Sequence, residues 1–219
     1  MPDISPYLLQ WFALIAVFTL AVISPGPDFV MVVRNAVVHS RRAGIMTALG
    51  LGASILIHVT YTVLGLAAVI AQSVMLFNAI KYAGAAYLIY IGIKSLRSKG
   101  VAASAIDKAV AQDAAHKPKQ MTDLAAMRCG FLTNALNPKA TLFFLAIFSQ
   151  IVRADTPLAW QAAYGLTCAA IIIAWFSLVS VVLTHRKVRH HFLKATKWID
   201  RVCGGLMIAL GIKVALTTR

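Results

Sequence analysis

Apolar residues run along this chain in long blocks that carry almost no charge, at about residues 8 to 33, 44 to 71, 74 to 93, 131 to 152, 157 to 184 and 199 to 216. A helix needs about 20 residues to cross the hydrocarbon core of a bilayer, and each block supplies that length. The pattern therefore predicts an all-α integral membrane protein with six transmembrane helices. One long polar stretch interrupts it, RSKGVAASAIDKAVAQDAAHKPKQMTDLAAM at 97 to 127, which is too polar to span. It separates a first three-helix half, 1–96, from a second, 128–219, as a cytoplasmic linker. Duplicated halves with three spans each must be inverted relative to one another, an arrangement that transporters use with the site where the halves meet. A faint echo supports two inverted three-helix repeats: IGIKSL at 91 to 96 closes span three and LGIKVAL at 210 to 216 closes span six.

Composition agrees. Of 219 residues, 60% are hydrophobic and only 13% charged, against about 25% charged in an average soluble domain. The net charge of +14 invites a nucleic-acid reading, but the placement of the cations argues against it. Arg34, Arg41 and Arg42 lie between spans one and two, seven more from Lys94 to Arg128 lie between three and four, and six from Arg186 to Arg201 surround the connection from five to six. That is sixteen on one side against Lys81, Arg153, Lys213 and Arg219 on the other. The positive-inside rule makes the sixteen cytoplasmic and sends both termini outward. The opening MPDISPYLLQW lacks the basic region of a cleaved signal, so span one is expected to persist. Tyr7, Trp11, Trp160, Tyr164 and Trp198 fall where interfacial belts are expected. Ala48, Gly50, Gly52 and Ser54 would let span two pack closely on a neighbour.

Candidate chemistry sits at two breaks. Span one contains Ser24-Pro25-Gly26-Pro27-Asp28, which a continuous helix tolerates badly because two prolines remove backbone donors. Irregular backbone at membrane depth survives only where protein buries it or a wet cavity borders it. Asp28 reads as the one acid inside a span, and an ionisable group there is a functional-site hypothesis by default. Span four holds Asn134-Ala135-Leu136-Asn137-Pro138-Lys139, with two amides, a proline and the remaining embedded cation. Both breaks lie roughly 9 to 12 Å inside at helical rise, so they can meet at one depth. An ion pair between Asp28 and Lys139 would offset part of the cost of burying each charge, although Lys139 could instead snorkel toward the cytoplasm.

Broken helices expose amides and carbonyls suited to a zwitterion. Half-helix N-termini attract a carboxylate, while Asp28 and free carbonyls attract an ammonium, which points to an amino acid or a similar small metabolite. Asp28 could also carry a proton, since burial disfavours its charge and Lys139 favours it. His58 in span two could relay protons or could be a hydrogen-bonded helix contact. Cys129, Cys168 and Cys203 show no ligand spacing and read as small buried hydrophobes. No cofactor is called for, and self-assembly into a homo-oligomer is left open.

At these residues the chain resembles the lysine-exporter (LysE/RhtB) family of amino-acid efflux proteins, which includes threonine and homoserine exporters. SPGPDF at 24 to 29, RRAGIMTALGLGASILIH at 41 to 58, GAAYLIYIGIKSL at 84 to 96 and GFLTNALNPKATLFFLAIFSQ at 130 to 150 look like its first four spans in order, with a looser GGLMIALGIK at 204 to 213. The resemblance implies secondary active export of amino acids from the bacterial cytoplasm across the inner membrane, driven by proton antiport. Pro25, Gly26, Pro27, Asp28, Asn137, Pro138 and Lys139 would form the site. Two positions depart from the family pattern, which often has Asn at the position of Asp28 and Pro-Gln where this chain has Ser149-Gln150.

Two other readings compete. A divalent-metal exporter would want a His-rich or acidic loop, or paired Cys and His inside the spans. A membrane-embedded enzyme would want a nucleophile and base at helical spacing, or HExxH. Neither pattern occurs, and His185, His190 and His191 lie among Arg and Lys in a cytoplasmic loop, where solvated charge or lipid-headgroup contact is expected.

Overall fold

The computed structural model describes residues 5–100, 121–151 and 156–216, so the central part of the expected linker, 101–120, lies outside the described residues. Among those described, every regular element is helical: α1 (Ser5–Ile23), α2 (Pro27–Val38), α3 (Arg41–Gln72), α4 (Val74–Leu96), α5 (Asp123–Ala135), α6 (Pro138–Ile151), α7 (Leu158–Val182) and α8 (Arg186–Leu216). Stretches Pro6–Ile23, Arg41–Gly65 and Leu158–Val182 are each long and apolar enough to cross a membrane, and α5 and α6, bent by 59° at their break, are together long and apolar enough for a fourth if the pair is one span.

The breaks fall where the sequence expects them. α1 ends at Ile23, and the chain passes through Ser24 to Gly26 before Pro27 starts α2. Gly26 is the N-cap, in ordinary extended backbone at φ −147°, with no side chain capping the helix. Proline suits the first helical position because the N–H it lacks would have had no partner there. The second break repeats the device with a cap added. Asn137 precedes Pro138, and its side-chain oxygen accepts from the Lys139 backbone N–H at 3.0 Å, while its carbonyl takes the Thr141 N–H at 3.1 Å. Asparagine is among the best N-caps for this reason.

Close backbone approach fixes α3 against α5. A Cβ at Gly50 would stand 2.0 Å from the Met127 carbonyl oxygen, and one at Gly130 would stand 2.0 Å from that of Thr47. Each helix thus presses its glycine onto the other's backbone, as the small residues of span two led us to expect. At one end of this pair Arg42 grips Asp123 through Nε and Nη2 at 2.6 to 3.1 Å. α3 also packs on α7, and α4 packs on both α8 and α6.

The core is a cluster of aromatic and branched side chains, including Phe18, Phe29, Ile55, Phe144, Phe148, Ile172 and Phe176. The outside is apolar as well: Leu9, Phe12, Met75, Leu136, Leu158, Leu166 and Leu216 are each more than half exposed. Soluble monomers do not display contiguous apolar surface on this scale, whereas acyl chains cover it without penalty. Two expectations need adjustment. Tyr164 is fully buried, where it donates its hydroxyl to the Tyr7 carbonyl at 2.9 Å, rather than facing an interface. The basic segment from Lys187 to Lys197 is helical, forming the first turns of α8, and is not a loop.

Candidate functional site

The two breaks come together. Asp28, in the first turn of α2, accepts from Asn134 Nδ2 at 2.8 Å through one oxygen and from Asn137 Nδ2 at 3.4 Å through the other. The first is a full-strength bond and the second a weak one. The expected ion pair does not form: no nitrogen of Lys139 lies within the 4 Å that would join it to Asp28 among the described residues. Amides that approach from the ends of α5 and α6 occupy the carboxylate first. The Lys139 ammonium instead lies over the break in span one, 3.6 Å from where a Cβ on Gly26 would be.

Asn134 is held from three directions. Its side-chain oxygen accepts from Ser54 Oγ at 3.1 Å. Its backbone carbonyl, at the end of α5, is met by His58 Nε2 at 3.1 Å. A carbonyl only accepts, so Nε2 carries the proton and Nδ1 faces the Tyr61 hydroxyl as the acceptor. His58 is 1% exposed and stacks on Phe144 with centroids 5.6 Å apart. Ser54 and His58 are one turn apart on α3, so the glycine contacts that set α3 against α5 also set the depth at which Asn134 meets Asp28.

Pro25, Gly26, Pro27 and Lys139 border a vestibule of about 730 Å³ that also touches Tyr87, Tyr90, Lys94, Arg97, Ser98 and Asp200. On the other side of Gly26, Pro27 and Lys139 is a cavity of about 60 Å³, which Asp28, Asn134 and Asn137 share with Phe18, Phe143, Phe144 and Phe176. The small cavity has room for a few waters only. Pro138 starts α6 beside it and receives the Tyr87 hydroxyl on its carbonyl at 3.4 Å. All nine residues anticipated from sequence thus lie at or directly behind one location, with His58 as a buried support.

Sequence reasoning missed Asp200. It is 4% exposed and accepts from Ser24 Oγ at 3.1 Å and from Ser98 Oγ at 2.5 Å, tying α8 to the break in span one and to the end of α4. Its place between the cations Lys197 and Arg201 suggested a span end. The signal that could have found it is a helical stripe: Thr196, Asp200, Cys203 and Met207 follow at intervals of four, three and four, and all are buried. No group of three or more His, Cys, Asp or Glu able to hold a metal ion occurs among the described residues.

Comparison with known proteins follows this architecture. Over 94% of the chain and 98% of the relative, it is 33% identical to the uncharacterized membrane protein YrhP of Bacillus subtilis (strain 168). It is 29% identical to the threonine efflux protein of Escherichia coli (strain K12), covering 96% of this chain and 99% of that one. To the homoserine/homoserine lactone efflux protein of Salmonella typhimurium it is 26% identical, covering 94% and 95%. No solved structure matches the chain. The family model described as LysE type translocator matches residues 19–218, and the chain belongs to that family of multi-pass membrane transport proteins.

Proposed function

We propose that the protein exports amino acids from the bacterial cytoplasm across the inner membrane as a secondary active transporter, with small neutral amino acids of the threonine and homoserine class as cargo. One observation carries the reading: two half-helix N-termini, those of α2 and α6, converge with Asp28, Asn134, Asn137 and Lys139 beside a cavity inside the bundle. A zwitterion is complementary to that set. Its carboxylate faces Lys139 and the positive ends of the two half-helices. Its ammonium joins the Asn134 and Asn137 amides on Asp28, adding a charged donor to two neutral ones, and charge-assisted bonds are about twice as strong.

In this reading six spans form two inverted three-helix repeats, and the end bearing Arg42, Lys94 and Arg97 faces the cytoplasm. The vestibule is then the inward mouth, and Phe18, Phe143 and Phe144 separate the site from the outside. The small cavity must widen before cargo enters, as alternating access requires. Proton antiport follows if Asp28 carries a proton in one direction and cargo in the other. The test is counterflow of a panel of radiolabelled amino acids in proteoliposomes, with and without an imposed pH gradient. Accumulation of threonine or homoserine that collapses with the gradient supports the reading, and no flux of any amino acid overturns it.

A further inference from the structure

Lys139 stands between two carboxylates that are built alike. Asp28 receives one neutral donor on each oxygen, from Asn137 and Asn134. Asp200 does the same, with Ser24 on one oxygen and Ser98 on the other. A carboxylate offers about four lone-pair sites, so two neutral donors leave each acid able to take an ammonium as well. Asp28 lines the small cavity, Asp200 lines the vestibule, and Lys139 lines both.

Volume decides which side can hold a cargo molecule in this conformation. A cavity of about 60 Å³ admits waters only, whereas the vestibule of about 730 Å³ is within the range of small-molecule sites. Lys94 and Arg97 at the vestibule wall add positive charge that draws a carboxylate inward. Tyr87 and Tyr90, with ring centroids 6.3 Å apart, present aromatic faces to the same space, and an ammonium is attracted to such faces.

We propose that the vestibule is a second, entry subsite for the amino acid, in which Asp200 takes the ammonium while Lys139 takes the carboxylate. The cargo then pivots on Lys139, its ammonium passing from Asp200 to Asp28 as the span-one break between Ser24 and Pro27 opens. Ser24 couples the two events, because the hydroxyl that Asp200 holds belongs to the break itself. This inference rests on the export reading above.

Two measurements test it. First, initial rates of radiolabelled threonine uptake are taken from the vestibule side in proteoliposomes of wild type, Asp200→Asn and Asp200→Glu. The expected result is a KM raised at least tenfold in Asp200→Asn with a maximal rate within about threefold, and a KM largely restored by Asp200→Glu. An unchanged KM, or a fall in maximal rate alone, overturns the entry subsite and leaves Asp200 as a tether for Ser24 and Ser98. Second, the thiol introduced by Tyr90→Cys is alkylated with N-ethylmaleimide in protein that keeps Asp200 but carries Asp28→Asn, with the modified peptide read by mass spectrometry. Saturating threonine is expected to slow that alkylation at least threefold, and no protection overturns the proposal even if Asp200 variants misfold. Absence of flux of any amino acid in wild type would instead overturn the export reading beneath it.

Discussion

Asn134 donates its side-chain amide to Asp28 at 2.8 Å while its own carbonyl oxygens are held by Ser54 and His58. The carboxylate is therefore positioned by a residue that is itself fixed on three sides, and transport should be sensitive to that residue out of proportion to its size. Hydrogen bonds to charged groups are worth about 1.5 to 3 kcal/mol. Asn134→Ala is expected to lower threonine transport by roughly 10- to 100-fold with normal membrane insertion. Rates within threefold of wild type, measured in reconstituted vesicles, would show that the amide is dispensable.

Asn137 presents a contrast, since its bond to Asp28 is weak at 3.4 Å and its firmer role is capping α6. Its loss should appear first in stability. Asn137→Ala is expected to lower stability by about 1 kcal/mol, typical of a lost N-cap, while Asn137→Asp or Asn137→Ser, which keep a capping oxygen, should recover most of it. Thermal unfolding in detergent checks the order of the three variants.

Because Asp28 is held by amides and not by Lys139, neutralising both charges should not repair the loss of one. A directly paired buried ion strands its partner when broken, which a second neutralisation relieves by several kcal/mol. Here Asp28→Asn combined with Lys139→Ala is expected to transport no better than the worse single variant. Recovery of more than about tenfold in the double variant would reveal a direct pair.

Gly50 and Gly130 leave no space for a Cβ, each facing a backbone oxygen that cannot swing aside. Overpacking of this kind typically costs 1 to 3 kcal/mol. Gly50→Ala and Gly130→Ala should each destabilise by roughly that much and should also impair transport, because they shift Ser54 and His58 relative to Asn134. Gly65→Ala, where nothing lies within 4 Å, is the control and should melt like wild type. Equal melting temperatures for all three would contradict the close approach.

The exposed Arg42 and Asp123 pair should matter little despite its two-pronged geometry. Its side chains are 73% and 43% exposed, and water and salt screen pairs of this kind so that they contribute little. Hydrogen bonding to Arg42 holds the Asp123 carboxyl below its usual range, so what the pair contributes is present above the ordinary carboxylate range and lost as pH falls through the lowered value. A double-mutant cycle on Arg42→Ala and Asp123→Ala, run at low and high salt, reads this directly.

Much of the site was legible in the sequence because proline and glycine announce breaks wherever they fall in an apolar run. Ser24 to Pro27 and Leu136 to Pro138 are interruptions in the structure for the reasons their residues give: an extended residue or cap, then a proline at the first helical position. The pairing within the site was not legible. The sequence pointed to Lys139 as the partner of Asp28, whereas the amides of Asn134 and Asn137, on either side of the 59° bend between α5 and α6, are the groups that reach it. Asp200 was hidden by its neighbours. Lys197 and Arg201 mark the chain there as polar, yet a helix turns about 100° per residue, so Asp200 lies inward while Arg201 packs on the exposed Trp198.

The most direct test of the central claim is efflux of radiolabelled threonine by Asp28→Asn in inside-out vesicles, alongside wild type at matched expression. Asparagine keeps the shape of the side chain and removes its charge. A loss of at least 100-fold is expected with the protein correctly inserted, because Asp28 is the one carboxylate among the described residues that line the small cavity. Wild-type efflux by Asp28→Asn would contradict it.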